Sequence, residues 1–129
     1  MSIKIVVADD DKLTVSLLEH VLTGNLFSVH SASDGLTALD LVWREKPDVL
    51  ITDLVLPRLD GIELCRRVKE DPATQQTKVI VMTAVYGGTA VRPMARACGA
   101  DDYIGKPINS TSLLEKLYRL TRTESREGS

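Results

Sequence analysis

The stretch VLITDLVLPRLDGIE, residues 49 to 63, sets the fold. Val49, Leu50, Ile51 and Thr52 form a short β-branched and apolar run without polar alternation, the pattern of a strand buried on both faces. The run ends in Asp53, and Pro57 then forces a loop. Asp60-Gly61-Ile62-Glu63 has the spacing of a capping box, with Asp60 as the N-cap. Ile62, Cys65 and Val68 recur at helical spacing after it, which gives the new helix one apolar face. A buried strand, a loop and an amphipathic helix make one β-α unit.

The same unit repeats on both sides, without a repeated sequence. Ile3 to Ala8 reads as a buried strand, followed by a helix carrying Leu13, Leu17, Val21 and Leu22 and ending near Gly24. Leu26 to His30 reads as a second strand. Leu36, Leu39, Val42 and Trp43 mark a second helix, stopped by Pro47. Downstream, Val79 to Met82 is a fourth strand, and a Gly87-Gly88 loop leads to a shorter helix near Pro93 to Cys98. Tyr103-Ile104 is a fifth strand, and a last helix capped by Asn109 or Ser110 turns Leu113, Leu114, Leu117 and Leu120 inward. Strands alternating with helices predict a parallel sheet covered on both faces by right-handed crossovers. From Thr121 the chain turns polar and aperiodic, which reads as residues 1–120 in one domain and 121–129 as a tail or the start of a linker.

Bulk properties narrow the function. The 129 residues carry 16 Lys+Arg against 18 Asp+Glu, a formal net charge of -2, which argues against direct nucleic-acid binding. The 4% aromatic content argues against a base-stacking platform. No apolar run reaches membrane-spanning length or forms a signal peptide, so a cytoplasmic protein with no membrane partner is expected. Cys65 and Cys98 are too far apart in sequence for a CxxC pair and read as reduced packing residues, and His20 and His30 as structural or solvent-facing.

In an open parallel sheet the site lies beyond the carboxyl ends of the strands. Strand one ends in Asp9-Asp10-Asp11, strand three in Asp53 and strand four in Thr83-Ala84, while Lys106-Pro107 follows strand five. Asp11, Asp34 and Asp60 suit helix caps. Asp9, Asp10 and Asp53 crowd negative charge at one edge, which a divalent cation relieves, and all-oxygen ligands select a hard ion such as Mg²⁺. No His or Cys stands at these ends to suggest zinc. Thr83 and Lys106 read as donors to an anion on the metal, a set suited to a phosphoryl group. No GxxxxGK[ST] or GxGxxG pattern offers a nucleotide site.

In order, VVADDD, ITDLVLPRLDG, VMTA and GADDYIGKP make the chain resemble the receiver domain of two-component response regulators, from about Lys4 to Leu120. The resemblance implies a flavodoxin-like (βα)5 sandwich, three layers with a five-stranded parallel sheet of order 2-1-3-4-5. It implies that Asp53 is the phosphoacceptor for a sensor histidine kinase or histidine phosphotransfer protein. Asp10, Asp53 and the main-chain carbonyl of Val55 would ligate Mg²⁺ (or Mn²⁺), and Asp9 would act through water. Lys106 and Thr83 would meet the phosphoryl oxygens, small Ala84 would leave access, and Tyr103 would turn inward as Thr83 moves. The Lys106-Pro107 bond would be cis, and the first helix, Lys12 to Leu22, would dock the kinase. Such a switch catalyses its own phosphorylation and dephosphorylation, turns over no external substrate, and controls a downstream effector or fused output domain.

Three departures matter. Val55 and Val85 are apolar at positions that tune phosphoryl lifetime in the family, so slow self-hydrolysis is expected. The Tyr86–Pro93 segment is irregular, and Ile108 replaces a frequent aromatic. Two other functions fit the fold class. One is a non-phosphorylated interaction module, which the complete acid set disfavours. The other is an aspartyl phosphohydrolase, which would place a second acid where Val55 stands.

Overall fold

A computed structural model of the chain describes residues 3–84 and 97–125. In chain order the elements are β1 (Lys4–Ala8), α1 (Lys12–Gly24), β2 (Ser28–Ala32), α2 (Gly35–Glu45), β3 (Val49–Asp53), α3 (Gly61–Glu70), β4 (Lys78–Ala84), β5 (Asp102–Lys106) and α4 (Ser110–Ser125). The strands form one parallel sheet of order β2-β1-β3-β4-β5, as the resemblance implied. The expected helix near Pro93 lies almost wholly outside the described residues, as do Val85 and the Gly87-Gly88 loop.

Each central strand feeds two cores, because successive side chains point to opposite faces. Ile5, Val7, Val49, Ile51, Ile80 and Met82 meet Leu18 and Leu22 of α1 and Leu113 and Leu117 of α4. Val6, Ala8, Leu50, Val79 and Val81 meet Ala38 and Val42 of α2 and Leu64, Cys65 and Val68 of α3. Neither cysteine forms a disulfide and both are buried, as expected of packing residues.

The helix caps form as read. Asp11 accepts from the Leu13 N–H, Asp34 from the Thr37 N–H and Asp60 from the Glu63 N–H. The capping box at α3 is only half made, because the Glu63 carboxylate is engaged by Arg66 and Arg67. Asn109 Oδ1 accepts the Ser112 N–H at 2.9 Å at the start of α4. That helix continues past Leu120 to Ser125.

Three sequence expectations need correction. β2 begins at Ser28, two residues late, because Leu26 adopts a left-handed φ of 71° and the Phe27 N–H still bonds Leu22 O at 3.0 Å. Leu26 is therefore exposed while Phe27 packs inward. The inner face of α1 is Val15, Leu18 and Leu22, so Leu13 and Leu17 point to solvent. On α2 the small Ala38 faces the sheet with Val42, which rotates Leu36 and Trp43 outward. In both helices several apolar residues permit more than one face, and close approach to the sheet selects the one used.

Candidate functional site

Strand order reverses between β1 and β3, because the connection after β1 runs to β2 on one side and the connection after β3 runs to β4 on the other, and the carboxylates gather there. Register explains their meeting. Ala8 pairs with Thr52 across β1 and β3, so the next residues, Asp9 and Asp53, come level. Ala84 pairs with Lys106 across β4 and β5, which brings the lysine to the same edge.

Carboxylate oxygens of Asp9, Asp10 and Asp53 lie within 4.8 Å of one another. Asp9 is buried, Asp53 half-buried and Asp10 exposed. Lys106 Nζ donates to Asp9 Oδ2 at 2.7 Å and to Asp53 Oδ2 at 3.2 Å. The other Asp9 oxygen accepts the Asp11 N–H at 2.9 Å. Burial pushes the Asp53 carboxyl above its ordinary range, and the charge of Asp9 adds to this against the pull of Lys106. Burial also works against the Lys106 ammonium, yet its bonds and attraction to Asp9 and Asp53 outweigh it and hold its pKa above the usual value.

Three carboxylates thus cluster around one ammonium that bonds two of them, which leaves negative charge in excess at the cluster. All the converging donors are oxygens, the chemistry of a hard divalent cation with few protein ligands and several waters. The residues present therefore fit Mg²⁺. A cleft of about 380 Å³ opens beside Asp9 and Asp10 toward Lys12, Ser16, Ser31 and Ser33, on the side away from β3.

Among the other expected site residues, Val55 lies in the β3–α3 loop and is 78% exposed. Thr83 is at the end of β4, but its hydroxyl donates to Ala84 O at 3.0 Å rather than to a member of the carboxylate cluster. Tyr103, on β5, is partly buried against the α2–α3 core. The Lys106-Pro107 peptide is cis. His30 lies on β2 beside Glu45, away from the site, with Nε2 3.6 Å from its carboxylate.

The sequence reading missed how Asp53 is held from behind. The Gly61 N–H donates to Leu54 O at 2.8 Å, and a Cβ on Gly61 would stand 1.9 Å from Asp53 O. Only glycine lets α3 begin this close to the end of β3. The Leu54 N–H also bonds Met82 O at 3.1 Å, which ties the loop to β4. The DG pair after a strand-end acid was the available signal, and its capping role hid the packing role.

Residues 5–118 match the response regulator receiver domain. The chain belongs to that family. It is 38% identical over 122 residues to the response regulator PleD of Caulobacter vibrioides, covering 95% of this chain and 27% of PleD. It is 37% identical over 122 residues to the response regulator MprA of Mycobacterium bovis, covering 95% of this chain and 52% of MprA. This receiver thus spans from about a quarter to about half of the length of these curated relatives. Its backbone superposes on a CheY-like response regulator receiver domain protein of Methanospirillum hungatei with a TM-score of 0.86 and 26% identity, covering 98% of this chain and 99% of that one. Among the described residues no helix is long and apolar enough to cross a membrane.

Proposed function

We propose that this receiver takes a phosphoryl group onto Asp53 from the phosphohistidine of a sensor histidine kinase or histidine phosphotransfer protein. One observation carries the reading: Lys106 Nζ sits between Asp9 and Asp53, at 2.7 and 3.2 Å, in a carboxylate cluster completed by the exposed Asp10. An Asp53 oxygen forms the new bond to phosphorus as the P–N bond breaks, and the imidazole, already protonated from water on its other ring nitrogen, leaves as the neutral ring with the P–N electron pair. The upward pull of burial on the Asp53 pKa makes this carboxylate a better nucleophile than an exposed one. Lys106 keeps its bond to Asp9 and turns its remaining protons toward the incoming phosphoryl oxygen.

Asp10, Asp53 and the Val55 carbonyl would hold Mg²⁺ (or Mn²⁺), with Asp9 behind a water. Bound there, the ion would neutralise charge on the transferring group. Thr83 then releases Ala84 O and donates to a phosphoryl oxygen, and Tyr103 follows into the space it leaves. A coupling of about 1–3 kcal/mol between the two ends suffices to control a downstream effector or fused output domain. We place this chemistry in the cytoplasm. The apolar, 78% exposed Val55 side chain orients no attacking water, so the phosphoryl group leaves slowly by self-hydrolysis, over much longer than seconds.

The test is incubation with Mg²⁺ and acetyl phosphate, read by intact mass. One phosphoryl group on the wild type and none on Asp53→Asn is the expected result. An unmodified wild type would replace this reading with the interaction module.

A further inference from the structure

On the outer strand of the sheet a second charged group lies beside Tyr103. Asp102 opens β5, and only 12% of its side chain is exposed. Its Oδ1 accepts the backbone N–H of Tyr103 at 2.8 Å. Its two oxygens also accept from Lys116 Nζ on α4, at 3.3 and 3.4 Å. The Arg119 guanidinium, one turn further along α4, donates to the same carboxylate. Held in this way, Lys116 Nζ lies 5.9 Å from the centroid of the Tyr103 ring. That is within reach of a cation–π attraction. The Lys116 side chain is 24% exposed, so water screens the contact less than at an open surface.

The arrangement joins three levels. Asp102 fixes the tyrosine backbone through its N–H, fixes the ammonium through both oxygens, and so sets the ammonium against the ring. The carboxylate keeps a cationic partner in Arg119 if Lys116 loses its charge, so removing that charge need not strand a buried anion.

We infer that Lys116 is a positioning residue for Tyr103: anchored by Asp102, its ammonium holds the ring in the position seen here and opposes the ring's reorientation. The effect on phosphorylation rests on the phosphoacceptor reading of Asp53, whereas the effect on the ring does not. By linkage, a residue that favours the present ring position also disfavours the phosphorylated state, if that state needs another.

Two measurements on the full chain separate these levels. The first is ring-labelled tyrosine NMR of the unphosphorylated protein, with the Tyr103 signal assigned by Tyr103→Phe. Lys116→Met is expected to shift the Tyr103 ring signal and leave Tyr118 in place, while Lys116→Arg stays near wild type. Asp102→Asn, which releases the anchor, is expected to shift Tyr103 in the same direction. The second is the phosphorylated-to-free ratio at a fixed acetyl phosphate concentration. Lys116→Met is expected to raise it about two- to fivefold, the fold-change of one partly exposed cation–π contact. The rise is expected to vanish in a Tyr103→Leu background. Unchanged ring signals in Lys116→Met overturn the inference, as does an equal rise in both backgrounds. If Asp53 takes no phosphoryl group, the phosphoacceptor reading fails while the ring measurement still decides the inference.

Discussion

The two halves of the sheet are prepared to different degrees. On the β1–β3 side, Asp9 and Asp53 already share Lys106, and three carboxylates stand within 4.8 Å. On the β4–β5 side, the Thr83 hydroxyl is engaged with Ala84 O, and Tyr103 is tied to α4 through Asp102 and Lys116. The first half is organised before any ligand arrives, while the second is committed to other partners. That division suits a switch: preorganised charge lowers the barrier to transfer, and a competing set of contacts gives the response a second state to leave.

Lys106→Met strikes the organised half hardest. Phosphorylation by acetyl phosphate is expected to slow by about 100-fold, as when one aimed donor is lost from a transition state. The same variant leaves Asp9 without its ammonium, with an expected stability loss of ~3 kcal/mol by urea unfolding without Mg²⁺. Near-normal rates would show that the preformed pair is structural only.

Adding Mg²⁺ is the next largest effect. At about 100 times its dissociation constant it is expected to stabilise the wild type by about 2.7 kcal/mol. Asp10→Asn is expected to abolish most of that gain, read as the shift in the urea midpoint. Equal gains in both proteins would move the cation site away from Asp10.

A smaller effect tests the raised Asp53 pKa. A buried acid whose pKa rises on folding binds its proton more tightly when folded. Its ionisation therefore lowers stability as pH climbs from the unfolded value of 3.8 through the raised folded value, and the loss persists above it. Asp53→Asn removes that loss. Its urea midpoint is expected to exceed that of wild type at neutral pH and to converge with it below pH 3.8. A constant difference at all pH values would break the assignment. Smallest of all is Thr83→Ala, expected to change stability by no more than about 0.5 kcal/mol because the hydroxyl is exposed and makes one local bond. Its effect should appear instead as loss of the phosphorylation-dependent shift of the Tyr103 ring signal.

The fold was legible because strand composition and helix caps are local. The runs at Ile5, Val49 and Val79 needed no partner to identify them, and Asp11, Asp34 and Asp60 marked helix starts within a residue. The carboxylate cluster was legible because strand ends in a parallel sheet converge by topology. What escaped depended on neighbours distant in sequence. Leu13, Leu17, Leu36 and Trp43 had the spacing of core residues, yet the sheet accepted Leu18 and Ala38 instead. The start of β2 turned on one left-handed residue, Leu26. Partner choice at the site also escaped: Thr83 had the chemistry of a hydrogen-bond donor to a phosphoryl group, and nothing in the sequence indicated that Ala84 O would hold it.

Gly61 gives the site a mechanical property. With 1.9 Å between its would-be Cβ and Asp53 O, there is no compressible layer between the Asp53 main chain and the first turn of α3. A push on the Asp53 backbone therefore reaches α3 as displacement, where a looser contact would absorb it. The same tightness makes residue 61 a gauge for anyone rebuilding this chain. Any side chain there must either drive the helix back or drag Asp53 out of line with Lys106.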